Sequence, residues 1–268
     1  MPAPLAVVLA AHGSRHPGAM DALDAFKETL LRELPGAAVE IARTVGRKHG
    51  GRHDFGGARR VPDVLAGLAA SGATRVIVQS LHVVPGEEYH EMLAGLGRFL
   101  ETDGAKLTVS VGAPLLASLA DVDRVAGALL AGLPAARRAD EAVVIMGHGA
   151  PPPGAGFYAS LAAALARRDA RMHFGTMPRE KGAPCPDIAR IRDALLASGT
   201  RSAWLSPFFT VAGAHACCDL AGDGPGSWRG VLEASGIRCR PLPAGLIEQP
   251  ALAAIWRDHL DAALSRLS

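Results

Sequence analysis

Short apolar runs rich in β-branched residues alternate along this chain with longer stretches whose apolar positions recur every third or fourth residue. Residues 5–11 read as a first strand. They lead into the loop His12-Gly-Ser-Arg-His-Pro-Gly18 and a helical pattern over 20–33, punctuated by Pro35-Gly36. A second strand over 38–44 and a Gly/Arg/His-rich loop over 45–57 precede a helix from Pro62 to Ser71-Gly72. The β-branched run 74–80 predicts a third strand, opening into Leu81-His82-Val83-Val84-Pro85-Gly86-Glu87-Glu88-Tyr89 and another helix. A strand over 107–111 and a helix over 117–130 complete the cycle.

Leu133-Pro134 to Asp140 reads as a boundary, after which the cycle restarts. Strands are predicted at 142–146, 171–176, 200–208 and 237–242, with helices at 156–167 and 186–198, within 213–235, and at 250–267. Alternating β and α elements demand parallel sheets with helices on their faces. The expected fold is therefore α/β, in two similar lobes (1–133 and 134–268), each a parallel sheet flanked by helices, with a cleft between them. The terminal helix is free to pack back on the first lobe.

The two halves share more than strand order. Each opens with an apolar run ending in a histidine and a glycine: His12-Gly13 in one, Gly147-His148-Gly149 in the other. After the third strand of each half, Val84-Pro85-Gly86-Glu87-Glu88 matches Val211-Ala212-Gly213-Ala214-His215, setting Glu88 opposite His215. Ligands bind at the carboxyl ends of strands in open α/β sheets. His12, Glu88, His148 and His215 are thus the candidates for chemistry. Two imidazoles and a carboxylate suit a divalent first-row metal. Glu88 also begins a helix, where a carboxylate complements the macrodipole. His82 reads either as a cleft residue or as a hydrogen-bonded core histidine. Cys217 and Cys218 read as small buried residues of a helix.

The bulk properties exclude several classes. A net charge of +2 and the absence of a dense basic run with aromatics argue against nucleic acid. The basic stretch from Arg43 through Arg47, Lys48, Arg52, Arg59 and Arg60 is either a solvated loop or an attractor for an anionic substrate; His49 and His53 in it read as solvated. No run is long enough for a membrane span, and residues 2–11 lack a basic leader. Four cysteines, two of them vicinal, form no disulfide framework at this length, which points to a reducing cytoplasm. No G-x-G-x-x-G or Walker pattern is present, so no nucleotide cofactor is expected.

The segments MGHGA (146–150), SLHVVPGEEY (80–89), VAGAHACCDLAGD (211–223) and Ser227-Trp228 together resemble the anaerobic cobalt chelatases that metallate sirohydrochlorin. These are class II chelatases, related in fold to protoporphyrin ferrochelatase. The resemblance runs along nearly the whole chain. It implies ATP-independent insertion of Co2+ into sirohydrochlorin, with Fe2+ insertion to give sirohaem, or a non-catalytic metal or tetrapyrrole carrier, as the alternatives. A two-lobed solute-binding protein is a further class that would normally carry a signal sequence. The resemblance places a metal-binding, proton-accepting histidine at His148, a second metal histidine at His215 and a cleft glutamate at Glu88. Substrate contacts are expected from His12, Ser14, Arg15, Ser80 and His82, with Ser14, Arg15, Arg43 and Arg47 as candidate partners for tetrapyrrole carboxylates. Association into a homo-oligomer stays open. Two departures stand out: His12-Gly13-Ser14 replaces the Gly-Thr-Ser of some relatives, and Met177 stands where relatives carry a glutamate.

Overall fold

The computed structural model describes residues 5–14, 16–44, 59–103, 106–177 and 184–267. The chain forms two compact units, Met1–Ala117 with Ala253–Ser268, and Ser118–Leu252.

The first unit contains β1 (Leu5–Ala11), α1 (Pro17–Glu33), β2 (Ala38–Arg43), α2 (Val61–Ala70), β3 (Arg75–Ser80), α3 (Glu87–Thr102) and β4 (Thr108–Gly112). The second contains α4 (Leu119–Ala131), β5 (Ala142–Gly147), α5 (Gly154–Arg168), β6 (Met172–Thr176), α6 (Ile188–Ala197) and β7 (Ser202–Phe208). A π-helical turn (His215–Leu220), α7 (Trp228–Ala234) and β8 (Arg238–Pro241) follow. The final helix, α8 (Pro250–Ser265), lies with the first unit from Ala253 onward. There Arg257 pairs with Glu33, Arg266 donates to the Val111 carbonyl at 2.7 Å, and Arg75 donates to the Leu267 carbonyl at 3.0 Å.

Both sheets are four-stranded and fully parallel, and they share one order: β2-β1-β3-β4 and β6-β5-β7-β8. In each, the chain steps one way from its first strand to its second, then crosses over to the third and fourth. Right-handed crossovers put the helix of the first step on one face and those of the later steps on the other. The cores follow. In the first unit Ala6, Val8 and Ala10 of β1 and Val76 and Val78 of β3 pack with Val64, Leu65 and Leu68 of α2 and Met92, Leu96 and Phe99 of α3. The alternate residues Val7 and Leu9 are equally buried on the opposite face. In the second unit Ala142, Val144 and Met146 pack with Ile191 and Leu195 of α6, Leu220, and Trp228 and Leu232 of α7.

A strand order that reverses direction leaves a crevice at the carboxyl ends of the two strands flanking the reversal. Those strands are β1 and β3 in the first unit, and β5 and β7 in the second.

The far edge of the second sheet is pinned by a buried carboxylate. Glu141, wholly out of solvent, accepts from Ser202 Oγ at 3.1 Å, Trp204 Nε1 at 3.0 Å, Arg240 Nη1 at 3.1 Å and the Arg138 N–H at 3.0 Å. These donors, the backbone N–H of Arg138 first among them, hold its pKa down at about 2.

Candidate active site

Each crevice gathers one residue from the end of its first strand and one from the helical segment after its third. The last β1–β3 pair is Ala10 with Ser80, and the last β5–β7 pair is Gly147 with Phe208. Continued one or two residues, this register sets His12 level with His82 and His148 level with Phe209. Glu88 and His215 then follow at the same remove along their chains. The four candidates are therefore equivalent by topology and by register, two in each unit.

In the second unit the Gly-His-Gly turn has local reasons. A Cβ at Gly147 would lie 3.0 Å from the Phe174 ring, and Gly149 sits at φ 82, open to glycine at little cost. The turn brings the part-buried His148 ring to 5.1 Å, centroid to centroid, from that of His215. The Phe209 ring lies 5.9 Å, centroid to centroid, from that of His215. His215 begins the π-helical turn, and Asp219, within the same turn, sits 2.6 Å from its Nδ1. A hydrogen bond there makes Nδ1 the protonated nitrogen and leaves the Nε2 lone pair available for a metal ion.

In the first unit His12 Nδ1 lies 2.7 Å from Glu88 Oε2, with His12 half exposed and Glu88 largely covered. The hydrogen bond to Glu88 raises the His12 pKa, outweighing the opposing effect of burial. Behind Glu88, His82 Nε2 stands 3.9 Å from the same oxygen and 2.8 Å from Thr44 Oγ1; His82 Nδ1 is 2.9 Å from Ser80 Oγ. Burial drives the His82 pKa down to about 4, against the pull of Glu88, so the ring is neutral near pH 7. Tyr89 closes over it edge-on at 6.1 Å.

This geometry corrects several expectations. Ser80 and His82 do not present themselves to a substrate: both are buried, their polar atoms spent on each other and on Thr44. The backbone carbonyl of Ser14 accepts from Arg43 Nη1 at 3.2 Å, and Arg43 Nη2 meets Met20 Sδ, so Arg43 braces the His12 loop. Cys217 and Cys218 are exposed, not buried; in the π turn Ala216 and Leu220 take the inward positions. Met177 packs against the second core, where a glutamate would be desolvated. Arg15, Arg47, His49 and His53 lie outside the described residues. Two partners escaped the sequence reading, Asp219 and Thr44. The i, i+4 spacing of His215 and Asp219 was the available signal for the first; the second had none.

Among the described residues no three His, Cys, Asp or Glu side chains are drawn together closely enough to hold a metal ion. A separate cavity of about 470 Å3 in the second unit, lined by Leu129, Val143, Ile145 and Met172 among others, includes none of the candidates.

Comparison with known proteins bears on what these pairs belong to. Residues 5–265 match the family model described as cobalt chelatase (CbiK). The chain is 40% identical to the sirohydrochlorin cobaltochelatase CbiKC of Nitratidesulfovibrio vulgaris, over 97% of this chain and 91% of that protein. It is 36% identical to the sirohydrochlorin cobaltochelatase of Salmonella typhimurium, over 74% of this chain and 72% of the other. Among solved structures, SirB from Bacillus subtilis with Fe3+ shares the fold at a TM-score of 0.67 and 15% identity, with 97% and 95% of the two chains covered. With the family model matched from the first strand to the last helix, this chain belongs to the CbiK cobalt chelatase family.

Proposed function

We propose that this protein inserts Co2+ into sirohydrochlorin without a nucleotide, turning over many times per chain. The observation that carries the reading is the His148–His215 pair at a sheet switch point, in a chain 40% identical to a sirohydrochlorin cobaltochelatase.

Metallation needs two things: a divalent ion relieved of part of its water, and two pyrrole N–H protons taken away. Neutral imidazoles serve the first, since they bind Co2+ well and exchange it without a redox step. His148 and His215, ring to ring at 5.1 Å, hold the ion. Two protein ligands leave coordination positions for water and then for tetrapyrrole nitrogens. The ion is substrate, so a weak, open site is an advantage over a closed cage.

The pair in the first unit serves the second task. Glu88 accepts pyrrole protons and helps admit the ion, and His12, hydrogen-bonded to it at 2.7 Å, holds the carboxylate in place. His82 stays neutral behind them, 3.9 Å from the same carboxylate oxygen. Of the groups assigned to the tetrapyrrole's carboxylates, Ser14 lies part-buried beside His12.

The test is an anaerobic assay of sirohydrochlorin with Co2+, with Fe2+ in parallel, following the absorbance change of the macrocycle. Many cobalt products per chain support the reading. Binding that stops at one product per chain makes the protein a carrier, and faster iron than cobalt insertion makes it a ferrochelatase of the same tetrapyrrole.

A further inference from the structure

Resting on the reading that His215 holds the metal, we infer that Asp219 is a positioning residue for metal binding. Its carboxylate fixes the Nδ1–H tautomer of His215, so that Nε2 is the nitrogen offered to the ion.

Three observations carry this. First, the 2.6 Å separation of His215 Nδ1 from Asp219 Oδ2 is that of a short, charge-assisted hydrogen bond. Second, the backbone is built for the contact. The turn from His215 to Leu220 is π-helical and closes with the Ala221 N–H on the Ala216 carbonyl, five residues back. Residues four apart lie on one side of a helical turn, so the spacing itself brings the two side chains together. Here Ala216 and Leu220 anchor the turn in the core while His215 and Asp219 stay about half exposed on one side. Third, the same chemistry occurs at non-equivalent positions of the first unit, where His12 Nδ1 is engaged by the Glu88 carboxylate at 2.7 Å.

The physical consequence is specific. A free imidazole favours the Nε2–H tautomer, in which the outer nitrogen has no lone pair to give. A carboxylate at Nδ1 reverses that choice, holds the ring plane and raises the electron density at Nε2. Loss of such a partner typically weakens metal binding 10- to 100-fold. Asp219 also adds a negative charge beside the ion's path, which Asn cannot replace although it can still accept the hydrogen bond.

Full-length Asp219→Leu and Asp219→Asn variants test this, with His215→Ala as reference. Binding of Co2+ alone, read from the ligand-field spectrum, is expected to weaken 10- to 100-fold in Asp219→Leu and less in Asp219→Asn. In metallation the loss should fall on KM for Co2+ more than on kcat. Nitrogen-15 NMR of the metal-free protein supplies the readout that a merely structural role would not move. The His215 ring should be Nδ1-protonated in the wild type and in Asp219→Asn, and should shift toward Nε2-protonated in Asp219→Leu. A wild-type tautomer or unchanged Co2+ affinity in Asp219→Leu overturns the inference. If His215→Ala itself binds and inserts Co2+ normally, the failure belongs instead to the assignment of His215.

Discussion

His82 gives the sharpest quantitative expectation. The ring is buried, its nitrogens are satisfied by Ser80 and Thr44, and its pKa is driven down to about 4 from an ordinary value near 6.5. The sign of the linkage follows. Below pH 6.5 the unfolded chain takes up a proton at this position while the folded chain does not, until the pH nears 4. Stability contributed by His82 is therefore whole above pH 6.5 and lost as the pH falls through that window. At 1.36 kcal/mol per unit, the loss is about 2 kcal/mol between pH 6.5 and 5, and about 3 kcal/mol in all. The perturbation is His82→Gln, which can still bond Ser80 and Thr44 but does not titrate. Urea unfolding followed by far-UV circular dichroism at pH 7.5 and pH 5.0 supplies the comparison. The variant will be weaker at pH 7.5 for want of ring packing. Its stability should nonetheless fall by about 2 kcal/mol less than that of the wild type on acidification. Equal pH dependence in the two proteins, or an NMR titration of His82 near 6.5, refutes the reasoning.

Other expectations concern separate parts of the molecule. Replacing His148 or His215 with Ala should lower metallation about a hundredfold or more while thermal unfolding stays as in the wild type, checked by activity and calorimetry together. Glu141→Ala strands the Ser202 hydroxyl and the Trp204 N–H and frees the half-exposed Arg240, and should cost about 1–3 kcal/mol in denaturant unfolding. Ser227→Ala removes the Oγ that caps the Gly230 N–H at 2.9 Å at the start of α7, worth about 1 kcal/mol by the same measurement. Maleimide should label Cys217 and Cys218 in the native protein and Cys185 only on unfolding, as mass spectrometry of digests would show.

The succession of strands and helices is written in the chain because each element carries its own period. The runs at 5–11, 142–146 and 200–208 are short, apolar and closed by polar or glycine-rich turns, and they fold as β1, β5 and β7. Lateral strand order has no such local signature, so the shared 2-1-3-4 pattern and its switch points emerge only in three dimensions. The division between the units is a similar case. Leu133–Asp140 has the composition of a linker, yet α4 ahead of it groups with the second unit and α8 beyond Ala253 with the first. Packing decides such matters, and packing is not periodic.

The candidate residues divide in the same way. His12, Glu88, His148 and His215 stand out as candidates because the two halves repeat a strand order and a histidine-glycine turn at matched places. The support behind them does not. His82 and Ser80 carry polar atoms that look available in a string of letters and are consumed by each other in the fold. Cys217 and Cys218 read as small interior residues of a helix; the π turn, which no propensity announces, leaves both exposed.

The central claim is that the histidine pair of the second unit holds the metal during insertion. It is tested most directly by anaerobic metallation of sirohydrochlorin with Co2+ by the wild type and by His148→Ala, followed over many turnovers. The account predicts repeated turnover by the wild type and its near-complete loss in a variant that remains folded. Undiminished turnover by folded His148→Ala would contradict it.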